Sequence, residues 1–128
     1  MRLLLDTHTF LWFIEDDPNL SPIAKALIAD PSNEVLLSMA SPWEIAIKVR
    51  IGKLALPDPL GDFLHDQMMI NSIQLLPISL EHATRVATLP LHHRDPFDRL
   101  IISQAMVENV AIVGADAGFD SYPIVRHW

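Results

Sequence analysis

The stretch MRLLLDTHTFLW, residues 1–12, decides the fold. Leu3, Leu4 and Leu5 form an apolar run too short for a helix, which predicts a buried strand over residues 2–5. Beyond Asp6 the period changes. Phe10, Leu11, Trp12 and Ile14 put apolar groups on a helix over 7–16, broken by Asp16, Asp17 and Pro18. A strand that ends on an acid and passes straight into a helix is half of a β-α unit, and the rest of the chain repeats it.

Ser21 before Pro22 reads as an N-cap with proline at the first helical position, giving a helix to about Ala29, closed by Asp30 and Pro31. Val35, Leu36 and Leu37 predict a second strand. Ser38 or Ser41 caps the next helix, whose Trp43, Ile45, Ala46, Ile47 and Val49 are apolar nearly all round, the pattern of a buried helix, and Gly52 is placed to end it. After a proline-containing loop over 54–59, Leu60, Phe63, Leu64 and Met68 recur at helical spacing, and Ile73 to Pro77 predict a third strand. Ser79 caps a helix with His82, Ala83, Val86 and Ala87 that ends before Pro90. Pro96 opens a long apolar helix, Ala111 to Val113 make a further strand, and Ile124 and Val125 a last edge strand. Strands and helices alternating at these lengths predict an α/β fold with a central parallel sheet covered by helices on both faces.

A chain of 128 residues holds one compact domain with a real core, here 1–128, and not two. Cysteine is absent, so a metal would rest on oxygen or histidine. The apolar run before Asp6 is too short for a signal peptide or a membrane span, which leads to the expectation of a soluble, cytoplasmic protein. A net charge of −7 with nine Lys and Arg argues against a nucleic-acid binder that works through a generally basic surface.

Part of that acidity has a pattern. Asp6, Glu44, Asp98 and Asp116 lie far apart in sequence, in apolar surroundings, where strands end or helices begin. In α/β proteins those are the places where distant segments converge. Hard divalent cations are held by a few carboxylates plus water and phosphate oxygens, so dispersed acids gathered by the fold make a nuclease centre. Taken singly, each acid also reads as a turn or cap residue. Asp6 and Asp98 are the expected direct ligands. Glu44, inside an otherwise apolar helix, is a ligand, a water orienter or the partner of Lys48 one turn later. Asp116 either binds an ion or positions water, or caps the turn at Ala117 and Gly118.

Four blocks, LLLDTHTFLW, SPWEIAIKVRIGKL, HHRDPFDRLIISQA and VGADAGFDSY, in this order and spacing, resemble PIN-domain proteins, in particular the VapC-like toxins of toxin-antitoxin pairs. The resemblance covers nearly the whole chain. It places Asp6, Glu44 and Asp98 on the family's acids and Asp116 on its fourth, more variable one. It implies a single three-layer α/β/α domain, Mg²⁺- or Mn²⁺-dependent endoribonuclease activity on RNA, a cognate antitoxin protein and a homodimer. His8 departs from the pattern, since many relatives carry Ser or Asn there. The helix carrying Trp12 and the helix after Pro59 are apolar enough to bury an antitoxin segment.

Other residues carry two readings each. Arg94 and Arg99 flank the acids and are candidate RNA phosphate contacts, or surface ion-pair partners. Thr7 and His8 are candidate donors to a phosphate or a bound water, or an ordinary helix start. Asp95 reads as the N-cap of the Pro96 helix and Asp120 as loop surface. His92 and His93 invite a zinc reading, but adjacent histidines point apart and no third nitrogen ligand lies at helical spacing. Trp12, Trp43 and Phe97 read as core in preference to base-stacking platforms. The alternatives to a nuclease are a catalytically silent PIN-like module and an α/β phosphatase-type domain using Asp6. A phosphatase of that type would carry a second Asp where His8 stands.

Overall fold

Strand and helix alternate along the computed structural model, which describes residues 1–128. The strands are β1 (Arg2–Leu5), β2 (Glu34–Ser38), β3 (Ile73–Leu76), β4 (Ala111–Val113) and β5 (Arg126–His127). The helices are α1 (Thr7–Ile14), α2 (Pro22–Ala29), α3 (Ala40–Arg50), α4 (Leu60–Ile70), α5 (Leu80–Arg85) and α6 (Pro96–Glu108), with short 3-10 turns at Val86–Thr88 and Ala117–Ser121. All strand pairs are parallel, in the order β3-β2-β1-β4-β5. The chain therefore steps outward from β1 to β2 and β3, then returns to the other side of β1 to lay down β4. That reversal opens a crevice at the carboxyl ends of β1 and β4.

The pleat sorts the leucines of β1 between two cores. Leu3 and Leu5 join Val35, Leu37 and Ile73 against Phe10, Ile45, Leu64 and Met68 on one face. Leu4 joins Leu36, Leu76 and Ile112 against Ile101, Ile102, Ala105, Phe119 and Tyr122 on the other. Helices α1 to α4 thus cover one face and α5 with α6 the other, which is the three-layer α/β/α arrangement. Fully burying a side chain such as Phe10 contributes about 1.5–3 kcal/mol, so the two cores hold the sheet rigid beneath its loops.

The caps follow the sequence. Ser21 and Ser79 accept from the N–H groups of Ala24 and His82, and Asp95 from those of Phe97 and Asp98. Gly52 takes φ +77 just past α3, where a side chain would be strained. Strand β3 stops at Leu76 because Pro77 has no N–H for the ladder. The last edge strand lies at Arg126–His127, two residues later than the Ile124 and Val125 expected. There Ile124 is drawn into the second core instead.

Helix α3 overturns one expectation. It is not buried all round: Trp43 is 62% exposed and Ile47 39%, while Ser41 and Glu44 are buried beside Ala40 and Ile45. Two of its polar groups, Ser41 and Glu44, point inward. Neither serine is its N-cap, a place that Met39 takes with no side-chain bond: Ser38 lies one residue earlier and accepts from Ala40 N–H at 3.0 Å, and Ser41 is bonded to Thr7 at 2.8 Å, which ties α3 to α1. No helix is long and apolar enough to cross a membrane.

Candidate metal centre

Each expected acid reaches the crevice by a local rule. Asp6 is the residue after β1 and caps α1, its Oδ1 accepting the Thr9 N–H at 2.7 Å. Asp116 follows β4 by three residues and caps the next turn, accepting the Gly118 N–H at 2.8 Å. Helix α3 leaves the carboxyl end of β2, so Glu44 in its second turn hangs over the same end of the sheet. Helix α6 leads back into β4 and so starts at that end, with Asp98 in its first turn.

The tightest group is Asp98, Asp116 and His93, whose ligand atoms lie within 4.8 Å of one another. Asp6 and Glu44 stand outside that group but close enough to act on it. Burial pushes Asp98 from 3.8 up to about 7, with the charges of Asp95, Asp6 and Glu44 adding to the rise and His93 opposing it. Burial likewise raises Asp6; its bond to Thr9 and the nearby His8 work against the rise, and Glu44 adds to it. The Thr9 hydroxyl lies beside the Asp6 carboxylate without reaching bonding geometry. Asp116 goes the other way, held below the ordinary carboxylate range by His93 first, then by Gly118 and Arg126. Clustered carboxylates whose burial is incompletely offset form a donor set suited to a divalent cation.

Glu44 is buried and pairs with Lys48 at 2.8 Å. The pair expected between these two is therefore present, but facing inward and not on the helix surface. Asp6, His8, Trp12, Ala115 and Asp116 line an open hollow of about 310 Å³ beside the acids. Gly114 gives Asp6 its room, since a Cβ there would stand 3.0 Å from Asp6 Oδ2.

The candidate RNA contacts divide. Arg94 is exposed on the loop before Asp95. Arg99 is buried, its guanidinium donating to the carbonyls of Pro90, His93, Val86 and Leu89, so it braces the loop over 86–93 and does not face solvent. A charged fork that satisfies four inward carbonyls cannot also reach a phosphate outside. Thr7 is buried, its hydroxyl engaged by Ser41, whereas His8 is exposed at the rim of the hollow. Trp43 is not core: it lies on the surface edge-on to Phe97, ring centroids 5.3 Å apart. Trp12 is partly buried and packs between His8 and Trp128. Asp120 is exposed, as expected, and carries a two-pronged ion pair with Arg126 at 2.9 and 3.0 Å.

His93, weighed from sequence only as a zinc ligand beside His92 and set aside, is the residue that the structure adds to the acids. It sits in the irregular loop between the Val86–Thr88 turn and α6, where no periodicity assigns a direction to its side chain. Its orientation comes from Phe119 and Tyr122, more than twenty residues on: the ring stacks on Phe119 at 5.1 Å and meets Tyr122 Oη at 3.1 Å.

A model of the PIN domain family matches residues 3–125. Over 59 residues the chain is 42% identical to Ribonuclease VapC16 of Mycobacterium tuberculosis (strain ATCC 25618 / H37Rv), a stretch covering 46% of this chain and 40% of that protein. The fold is similar to that in a structure of VapBC2 from Rickettsia felis bound to a promoter DNA fragment, with a TM-score of 0.72 and 16% identity over 99% of this chain and 98% of that one. It is also similar to VapBC-1 from nontypeable Haemophilus influenzae, TM-score 0.65 and 13% identity over 99% and 97%. For FitAcB from Neisseria gonorrhoeae the TM-score is 0.61, with 17% identity over 97% and 95%. At such identities the likeness is one of fold.

Proposed function

The chain belongs to the PIN-domain family, and on that premise we propose that it is a divalent-metal-dependent endoribonuclease, the toxin of a toxin-antitoxin pair. The observation that carries this reading is the gathering of Asp98, Asp116 and His93 within 4.8 Å at the crevice, with Asp98 raised to about 7 by burial and by the acids around it. Asp98 and Asp116, with Asp6 beside them, would hold Mg²⁺ or Mn²⁺. The ion supplies an activated water and neutralises a phosphate oxygen, so no side-chain nucleophile is needed.

The remaining side chains position and discriminate. Glu44, fixed by Lys48 in a buried place, orients water at the acids. Exposed Arg94 offers its guanidinium to an RNA phosphate next to the Asp95 cap. His8, at the rim of the hollow, offers a ring nitrogen to the same strand. A local cationic contact of this kind suits a protein whose net charge is −7.

Two partner surfaces fit the reading. Leu11, Trp12 and Leu54 line a second hollow rimmed by Glu15, Lys48 and Lys53, which takes an apolar antitoxin segment flanked by charges of both signs. Met39, Trp43, Ile47 and Ile51 are all exposed at four-residue spacing, an apolar stripe along α3 that serves the homodimer. The toxin assignment is supported by the name of the 42% identical relative and by the VapBC neighbours in structure.

The test is cleavage of a fluorogenic RNA by purified protein with Mg²⁺ or Mn²⁺, compared with Asp98→Asn and Asp116→Asn shown to be folded by circular dichroism. Activity should fall by about 10²-fold or more in each variant. Equal rates in wild type and Asp98→Asn, with contaminating nuclease excluded, would refute the nuclease. Growth arrest on expression, relieved by co-expressing the neighbouring reading frame, tests the toxin assignment.

A further inference from the structure

We propose that His93 is itself a ligand of the ion, through Nε2 and alongside Asp98 and Asp116, which makes the centre a mixed nitrogen and oxygen site that favours Mn²⁺ over Mg²⁺. The inference rests on the metal-dependent reading above and goes beyond the all-carboxylate set expected from sequence.

Three observations carry it. The first is placement. Nε2 stands 2.8 Å from Asp116 Oδ2, and the ligand atoms of His93, Asp98 and Asp116 all fall within 4.8 Å of one another. Two ligand atoms about 2.1 Å from one ion at a right angle are roughly 3 Å apart, so this separation suits chelation as well as it suits a hydrogen bond.

The second is rigidity. The His93 ring is stacked on Phe119 with an interplanar angle of 18° and is tilted against Tyr122 at 5.5 Å, with its side chain only 10% exposed. Beneath the contact lies Gly118, where a Cβ would stand 2.9 Å from Asp116 Oδ1 and 3.1 Å from His93 Cε1. A glycine there lets carboxylate and imidazole converge.

The third is the partner on the far ring nitrogen, which fixes the ring's orientation. His93 Nδ1 meets Tyr122 Oη at 3.1 Å, and that hydroxyl also reaches the Pro90 carbonyl at 3.4 Å. The other ring nitrogen, Nε2, faces Asp116. Metal-binding histidines are commonly oriented in this way, by a partner on the other nitrogen. Nε2 and Asp116 Oδ2 lie 2.8 Å apart with Asp98 as a third ligand beside them, a set of three donor atoms that one metal ion can join. An imidazole nitrogen among carboxylates shifts preference from Mg²⁺ toward later divalent ions.

The experiment is electron spin-echo spectroscopy of the full chain loaded with Mn²⁺, together with calorimetric titration of Mn²⁺ and Mg²⁺ into wild type, His93→Gln and His8→Gln. Wild type should show nitrogen coupling to Mn²⁺. The coupling should persist in His8→Gln and vanish in His93→Gln, whose Mn²⁺ affinity drops about tenfold or more while Mg²⁺ affinity changes by less than about threefold. Bound Mn²⁺ without nitrogen coupling, coupling that survives in His93→Gln or disappears in His8→Gln, or equal weakening of both ions would overturn the ligand assignment. Equal weakening would make His93 a hydrogen-bonding support for Asp116 only. If His93→Gln does not fold, the wild-type and His8→Gln spectra still decide. Failure of wild type to bind either ion overturns the metal-dependent reading itself, which is a different result.

Discussion

Without metal, the protein should lose stability as the solution is made less acidic, and Asp98 sets the size of the loss. Its carboxyl titrates at 3.8 in the unfolded chain and at about 7 in the folded one. Between those values the folded protein keeps a proton that the unfolded chain has released, so stability falls with rising pH across the window and levels off above it. Roughly three pH units at ~1.4 kcal/mol each set a ceiling of about 4 kcal/mol. The side chain is partly open to water, which reduces this to about 2 kcal/mol. Against it, the α6 N-terminus favours the ionised carboxylate by only ~0.5 kcal/mol. For a chain of 128 residues, about 2 kcal/mol corresponds to a melting shift of roughly 7 °C.

The assay is thermal melting by circular dichroism in chelator, wild type beside Asp98→Asn, from about pH 4 to about pH 8. Comparing the two chains cancels the histidines that do not act on Asp98, which titrate in the same range. The melts should coincide near the acid end and separate by about 7 °C at the other, the Asn variant being the more stable. Adding Mn²⁺ or Mg²⁺ should then raise wild type and barely move the variant, by ~2.7 kcal/mol at a hundred times the dissociation constant. A constant offset at every pH, or a wild type more stable than Asp98→Asn near pH 8, would show that the burial and crowding assigned to Asp98 are wrong.

Other outcomes test neighbouring residues. Arg99→Met should cost about 3 kcal/mol or more in urea unfolding because four carbonyls lose their donor, whereas Arg94→Ala should leave stability within ~0.5 kcal/mol and weaken RNA binding. The reverse pattern would mean that Arg99 is the RNA contact. Lys48→Met should destabilise by about 1–3 kcal/mol, since Glu44 is buried and loses its 2.8 Å partner; a silent substitution would place Glu44 in solvent. Ile47→Glu should shift the particle from dimer to monomer in light scattering while moving the melting point by a few degrees at most, and a dimer that survives would remove α3 from the interface.

Four of the five strands were legible from apolar runs and the breaks beside them, Asp6 after β1 and Pro77 after β3 among them, whereas β5 lies two residues beyond the Ile124 and Val125 expected. Asp6 and Asp98 were legible as candidates for the crevice for the same reason, since boundaries in a parallel fold lie on the rim where it opens. What failed was direction. Trp43 looked inward on hydrophobicity, yet α3 turns Ser41 and Glu44 inward toward Thr7 and the acids, which leaves Trp43 and Ile47 outside. Arg99 looked outward on charge, yet the loop over 86–93 has carbonyls that only a buried donor can satisfy. In both cases a polar partner distant in sequence outweighed the side chain's own preference, and single-chain periodicity carries no information about such partners.

The same conflict explains why these acids remain a site and are not smoothed into a core. Asp98 accepts a location in which burial, Asp95, Asp6 and Glu44 all oppose its charge. Asp95 cannot simply be dropped, because it caps α6 through two backbone N–H groups, at 2.8 and 3.1 Å, and a lost cap costs about 1 kcal/mol. Asp95→Asn separates the two effects: asparagine caps as well as aspartate, so α6 should keep its start while Asp98 loses one of the charges that raises it. The variant should therefore be no less stable than wild type in chelator near pH 8, and its nitrogen- and oxygen-bound Mn²⁺ should be held more weakly, because less repulsion remains for the ion to relieve. Calorimetric titration of Mn²⁺ beside a chelator melt reads both quantities. Unchanged ion binding in Asp95→Asn would mean that the charge of Asp95 does not act on the centre at all.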